Sequence, residues 1–377
     1  MPSATRVVCC LLIAAALYGC ASRPPAQATH PVVSAPPTLP PVVSAPPPPR
    51  EASVRPPDAF TRLPGWENED HAAALAAFEA GCGATHDFAL AIVCHDARNK
   101  GPLGEAQARA FLERNFRPET IATPGLLTGY FTPIYDAANA PGGEFTAPLR
   151  GRPVDLPPSD TARGGAAVYA DRAAIEARAA RGALAWMRPE DLFFLQIQGS
   201  GVLVFPDGVR RKAVFDGSNG ASFRGIATPM RQQGLLAEDN TSADAIRLWL
   251  AEHRGKPANA IMDLDPRYVF FRLAPDDGAL PAGAAGVTLI AGRSLAIDPS
   301  AHDLGEVFWI DASSPVLVGA FPAYQRLAMA LDTGGAIKGE GRADLYLGRG
   351  PAAGLEAGRV RHVLRLYRFA PVMREGS

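Results

Sequence analysis

The stretch LDTGGAIKGEGRADLYLG, residues 331–348, constrains this chain more than any other segment. Gly334, Gly335, Gly339 and Gly341 let the backbone turn sharply and approach a ligand closely. The flanks, LAMALD and ADLYLG, read as strands. The segment is therefore a glycine-rich loop between two strands, with Asp332 on one side and Asp344 on the other. In the exit strand a period of two puts Arg342, Asp344 and Tyr346 on one face and Ala343, Leu345 and Leu347 on the other. A carboxyl beside an aromatic ring, turned away from a packed face, suits a carbohydrate cleft. The acid can protonate a glycosidic oxygen, and the ring offers a sugar an apolar surface. An aspartate leaving such a loop also fits a turn or a cap.

The last hundred residues read as short strands between Gly/Pro turns: GVTLIAG, LGEVFWID, AYQRLAMALD, ADLYLG and VRHVLRLY. That is a barrel or a sandwich, and pattern alone does not separate them. Further upstream, Val202–Phe205 and Arg210–Phe215 flank a Pro206-Asp207-Gly208 turn and read as a hairpin, and residues 242–253 read as a helix. Apolar residues at three- and four-residue spacing predict helices over 70–81 and 103–115. Cys82 and Cys94 lie between these two helices, and an even pair in an exported protein favours a disulfide over a buried free pair.

The amino terminus is a targeting segment. Arg6 precedes an apolar run, Val7 to Leu17, too short to span a bilayer permanently, and the run ends in Leu17-Tyr18-Gly19-Cys20. This is similar to the lipobox of a bacterial lipoprotein, which implies a signal peptide over 1–19 and lipidation of Cys20. Ala21 after that cysteine implies sorting to the outer membrane, facing the periplasm. Tyr18 is larger than the pattern prefers, so ordinary secretion stays open. Residues 20–58 read as a tether, or equally as a low-complexity spacer without a reach requirement, since 13 of the chain's 36 prolines fall between 21 and 57 and PVVSAPP occurs twice. Proline removes donors and fixes φ, so neither helix nor sheet forms there. As polyproline II the tract would reach about 3.1 Å per residue.

A net charge of −1 argues against nucleic acid, whose phosphates call for a basic face. A hydrophobic content of 47% with 20% charged residues suits a packed core. No zinc-type spacing, P-loop or dinucleotide fingerprint occurs, so neither metal nor cofactor is implied. Gln198-Gly199-Ser200-Gly201 lacks the first glycine of a nucleophile elbow, and a strand-to-strand turn is the better reading of Ser200.

LDTGGAIKG and RADLYLG resemble the C-terminal three-aspartate module of the MltA family, the membrane-bound lytic murein transglycosylases. LLTGYFTPIYDA (126–137), FFLQIQGSGVL (193–203), VFDGSNG (214–220), RYVFF (267–271) and AGRSLAIDPS (291–300) match further family motifs in the same order. The resemblance covers roughly residues 100 to 370. It implies a mainly β fold, a double-psi β-barrel with flanking helices and a smaller inserted β domain. The barrel is expected from 59–136 and 276–377, with the three-aspartate module at about 285–370, and the insert from 137–275.

The implied substrate is the glycan strand of peptidoglycan, cut between N-acetylmuramic acid and N-acetylglucosamine to leave 1,6-anhydromuramic ends. The implied catalytic residue is Asp344, acting first as acid and then as base. Asp332, Tyr130, Thr132, Gln198, Gly199, Ser200, Lys338 and Tyr346 are the implied substrate-binding residues. Asp332 either hydrogen-bonds substrate or orients the loop, with Lys338 as its partner or as a structural ion pair. Tyr130 is either a cleft residue or a buried core ring, and Asp298 a third carboxylate or a cap before Pro299. Arg342 shares a face with Asp344 and would lower its pKa, unless it points away or burial outweighs it. A hydrolase on the same barrel would need a second carboxylate, drawn from Asp332, Asp298 or Glu340. A non-catalytic peptidoglycan-binding lipoprotein is the other alternative.

Overall fold

The computed structural model describes residues 59–121, 125–157, 169–317 and 319–372. The expected signal segment, the proline-rich tether and Cys20 lie outside them.

Three helices open the described chain: α1 (His71–Gly81), α2 (Phe88–Lys100) and α3 (Glu105–Asn115). Asp70 and Asp87 cap the first two, accepting from the N–H of Ala73 at 2.9 Å and of Leu90 at 2.8 Å. Such side chains satisfy donors that a helix start leaves open. α1 and α3 lie where the periodicity predicts helices. α2 was not expected. It exposes Phe88 and Ile92, so its apolar residues do not form one clean stripe. Cys82 and Cys94 are bridged, with their Cα atoms 5.7 Å apart.

Next come β1 (Phe116–Thr120), β2 (Gly125–Thr132) and β3 (Ile134–Asp136). The middle of the chain carries β4 (Ala147–Leu149), α4 (Arg172–Glu176), β5 (Ala185–Met187), α5 (Pro189–Gln198), β6 (Gly201–Val204) and β7 (Arg210–Ser218). It ends with α6 (Ala227–Gln232), α7 (Ala243–Glu252), α8 (Lys256–Met262) and β8 (Val269–Pro275). The C-terminal part holds β9 (Ser294–Ile297), β10 (Val307–Pro315), β11 (Ala323–Thr333), β12 (Arg342–Arg349), α9 (Pro351–Ala357) and β13 (Arg361–Pro371).

Strands β13, β10, β11, β9, β12 and β2 pair in that order, and β2 pairs back to β13. The ring closes as a six-stranded double-psi barrel, with β1 added at the edge of β13. Two pairings, β11–β9 and β12–β2, are parallel, and the other four of the ring are antiparallel. Closure leaves the six strands without an open edge. All six supply residues to one apolar cluster, including Leu127, Leu295, Phe308, Ala328, Leu345 and Leu364, which is therefore the interior. Alternate residues on the same strands, Trp309, Leu327, Met329 and Leu331 among them, face outward under the helices, against Phe78 and Phe111. Both faces are dry, which is why LAMAL reads as a continuous apolar run. GVTLIAG, expected as a strand, is not one. Gly286 and Gly292 both sit at φ 74°, and Thr288 makes only an isolated bridge to Ala282.

A second sheet, in the order β3-β6-β7-β8, lies in the inserted part, backed by helices. Only Pro133 separates β2 in the barrel from β3 in this sheet, so Ile134–Asp136 belongs to the insert's sheet ahead of the expected boundary at 137. Where β8 returns, Asp276 accepts from Arg349 of β12 at 3.0 Å and from Arg210 of β7 at 3.2 Å, tying the two parts together.

Candidate active site

Strand register brings the site together. In the parallel pair β12–β2, Asp344 stands opposite Thr128 and Tyr346 opposite Tyr130. Thr128 Oγ1 donates to Asp344 Oδ1 at 2.5 Å, joining residues 216 positions apart. Arg342 does not sit on the carboxylate. Its guanidinium donates to Thr128 Oγ1 at 2.9 Å and to the carbonyls of Ala343 at 2.8 Å and Leu126 at 3.2 Å. The hydroxyl thus stands between cation and acid. Burial pushes the Asp344 carboxyl up to about 6; the Thr128 hydrogen bond and the Arg342 charge pull it down, while the Asp332 charge adds to the rise.

Asp332 lies just past a register irregularity between Ala330 and Asp332. Such a bulge re-aims a side chain. Its Oδ1 accepts from the N–H of Ala284 and Thr333, each at 2.9 Å, and its Oδ2 accepts from the Tyr130 hydroxyl at 2.9 Å. Burial raises its pKa despite these donors. Asp298 is engaged on both oxygens as well. Oδ1 accepts from the Ser300 N–H and hydroxyl, and Oδ2 from the Gly339 N–H at 2.7 Å. Burial opposes its ionisation, but these donors and the Lys338 charge outweigh burial and hold it down at about 2. It clamps the glycine-rich loop, and His302 Nε2 supports it at the Glu340 carbonyl, 2.8 Å away.

The cleft runs between barrel and insert. Gly129, Tyr130, Asp344 and the loop from Gly334 to Ile337 form one wall; Arg172, Gln196, Gln198, Phe223, Asp265 and Arg267 lie on the other. Gln198 Oε1 accepts from the Phe131 N–H at 3.0 Å, which fixes the amide at the rim. Arg172, 2% exposed, donates to Gln196 Oε1 at 2.6 Å and to the carbonyls of Arg267 and Asp265. It knits the insert's wall together.

Several expected binding residues lie elsewhere. Tyr346 is fully buried, its ring 5.2 Å from that of Tyr130 and its hydroxyl 2.7 Å from Thr132 Oγ1. It offers no face to a sugar, because the outer side of this strand is covered by packed side chains rather than solvent. Thr132, 4% exposed, is buried with it. Gly199 and Ser200 form the turn from α5 into β6, so this is a helix-to-strand turn rather than a strand-to-strand one, and neither lines the cleft. Lys338 reaches Asp298, Nζ to Oδ1 3.6 Å, and makes no ion pair with Asp332. Tyr130 keeps both of its expected characters, since it lines the cleft and packs on the core. The sequence reading missed Arg172, Gln196, Phe223, Asp265 and Arg267 as cleft residues. Gln196 and Arg267 lie inside quoted motifs, whereas Arg172 sits in an Ala-rich stretch without any signal.

Two family models match this chain: the MltA specific insert domain over residues 126–272 and the 3D domain over residues 293–370. The crystal structure of a membrane-bound lytic murein transglycosylase from Agrobacterium tumefaciens superposes with a TM-score of 0.70 at 31% identity, covering 83% of this chain and 96% of that one. The chain belongs to the MltA family. Membrane-bound lytic murein transglycosylase A of Escherichia coli K12 is 33% identical over 249 residues, 64% of this chain and 64% of the relative. This MltA-family chain thus spans a little under two thirds of the length of that relative. The structure of E. coli MltA with bound chitohexaose matches with a TM-score of 0.62 at 27% identity, covering 81% of this chain and 90% of that one.

Proposed function

We propose that this protein is a lytic transglycosylase. It cleaves the β-1,4 bond between N-acetylmuramic acid and N-acetylglucosamine in peptidoglycan and leaves 1,6-anhydromuramic ends. One observation carries the reading. Among the described carboxylates of the cleft, Asp344 alone keeps an oxygen, Oδ2, without a protein partner, and its pKa of about 6 lets it hold a proton near neutrality. Protonated Asp344 gives its proton to the glycosidic oxygen as the C1–O bond breaks. The C6 hydroxyl of the same muramoyl residue then bonds to C1, and the Asp344 carboxylate takes the hydroxyl proton. One bond is broken, one is formed, and no water is consumed. Because the nucleophile belongs to the substrate, attack gains the effective molarity of a tethered group. Asp332 serves by orienting Tyr130 and the backbone at Ala284.

A hydrolase would need a second carboxylate free to act on water or on carbon. Asp332 and Asp298 are engaged on both oxygens, and Glu340 is exposed outside the cleft, which favours the lyase. The relatives' description as membrane-bound and the LYGC segment support a lipid anchor at Cys20 in the outer membrane. Metabolic fatty-acid labelling should mark the wild type and not Cys20→Ser; equal labelling would refute the anchor.

Digestion of sacculi in heavy-oxygen water tests the reaction. Mass spectrometry should find anhydro ends without label. Labelled reducing ends would mean hydrolysis, and no cleavage at all would mean a binding protein.

A further inference from the structure

A second concave site lies across β8 from the cleft. Val269 lines the cleft, and Phe270, the next residue on the strand, lines this pocket of about 330 Å³. Successive residues of a strand face opposite ways, so the two sites share a wall. α4 spans the same wall: Arg172 at its start lines the cleft, while Ile175 in its last turn and Arg178 and Arg181 beyond its end line the pocket.

Arg150, Arg152, Arg178 and Arg181 all line this pocket, and among the described residues none of them forms an ion pair. Elsewhere on the insert, Arg172, Arg188, Arg247 and Arg254 each have a carboxylate partner, while Arg211, Arg224, Arg231, Arg267 and Arg272 are scattered without one; among the described residues, only in this pocket do four unpaired arginines converge. Three of the pocket's unpaired arginines are held by neutral groups, although Arg150 also feels the charge of Glu176. Arg150 donates to the carbonyls of Arg178 at 2.7 Å and Ala179 at 3.2 Å, and its buried Nε has no partner. Arg152 donates to the carbonyls of Pro157 at 2.9 Å and Asp216 at 3.1 Å. Arg178 donates to the Tyr169 hydroxyl at 2.6 Å, which in turn donates to Asp155. Carbonyls orient a guanidinium without neutralising it. The arrangement is therefore positive and pre-ordered, so an arriving anion meets little ordering cost. Guanidinium groups match carboxylates in planar, bidentate geometry.

We propose that this four-arginine pocket is a subsite for carboxylate-bearing peptide, namely the stems that peptidoglycan carries on its lactyl groups. The pocket lies on the opposite face of β8, which is the edge strand of its sheet, so a branch from a glycan strand in the cleft would reach it round that edge. The identity of the peptide rests on the glycan-cleaving reading; the anion chemistry of the pocket does not.

The experiment titrates the full chain with amidase-released stem peptide by calorimetry and, in parallel, measures turnover on sacculi and on peptide-stripped glycan strands. Arg178→Gln/Arg181→Gln should weaken peptide binding and raise KM on sacculi by about fivefold, leaving stripped strands unchanged. Arg181→Gln alone, at an exposed side chain without a hydrogen-bond partner, should move both readouts the same way and cannot act through the fold. Added salt should weaken the wild-type titration. Absence of peptide binding, equal changes on both substrates, or inorganic phosphate binding as tightly as the stem would each overturn the proposal. If neither substrate yields anhydro ends, the glycan reading fails, while the peptide titration still reads the pocket.

Discussion

Thr128 is the residue through which the acid is tuned. Its hydroxyl donates to Asp344 and receives Arg342, so it favours the charged carboxylate while keeping the guanidinium one atom away. In Thr128→Val the lost hydrogen bond leaves burial less opposed, and the Asp344 pKa rises further. In the proposed mechanism cleavage needs the protonated acid, so kcat/KM of the wild type should fall as pH rises through about 6. In Thr128→Val that limb should move to higher pH; a limb that stayed or moved down would contradict the role. The sign for stability is fixed by the same shift. A folded pKa raised above the unfolded value means stability fully present below about 4 and lost as pH rises through about 6, on the order of 1–3 kcal/mol. Asp344→Asn should therefore melt higher than wild type at pH 8 and close to it at pH 4. The place of Asp344 at the foot of a glycine-rich loop was legible as a local pattern, but that pattern fits a turn or a cap as well, and the residue's proposed role came from the family resemblance. The burial of Tyr346 and Thr132 was not legible. Period two tells one face of a strand from the other, but it does not tell a solvent-facing side from one covered by helices.

Among the elements, β2 leaves no room at its start. A Cβ on Gly125 would meet the Gly341 carbonyl at 2.2 Å, and backbone cannot swing aside as a side chain can. Gly125→Ala should push β2 away from the end of β12 and cost about 1–3 kcal/mol in urea unfolding. Unchanged stability would mean that the pair has more slack than the structure shows. The Cys82–Cys94 bridge joins α2 to the turn after α1, with a sequence separation of 12. Replacing both cysteines by serine should cost about 2–4 kcal/mol in the same assay, whereas an unaltered midpoint would show that the helices hold without it. α1 and α3 could be read from spacing alone. α2 escaped because Phe88 and Ile92 break its apolar stripe, and 286–292 misled because its apolar residues sit between glycines that turn the chain.

Over the whole molecule, closure depends on β2 meeting both β12 and β13, pairings that span more than two hundred positions of sequence. No local pattern encodes such register; the resemblance supplied the barrel where periodicity left barrel and sandwich equal. The insert becomes part of the same site because β2 runs through Pro133 into β3, and Asp276 ties the returning strand to β12 and β7. In the proposed mechanism the barrel contributes the acid, the insert contributes a polar wall, and a single aspartate works on substrate held between them. The most direct test is one chromatogram of sacculus digests from two variants. Asp344→Asn keeps the shape of the side chain but can neither give nor take the proton, so anhydro products should fall by at least about 10²–10⁴-fold. Asp332→Asn removes hydrogen-bond strength of about 1–3 kcal/mol and should retain measurable activity. Activity of more than a few per cent in Asp344→Asn, with none in Asp332→Asn, would contradict the account and move the catalytic role to Asp332.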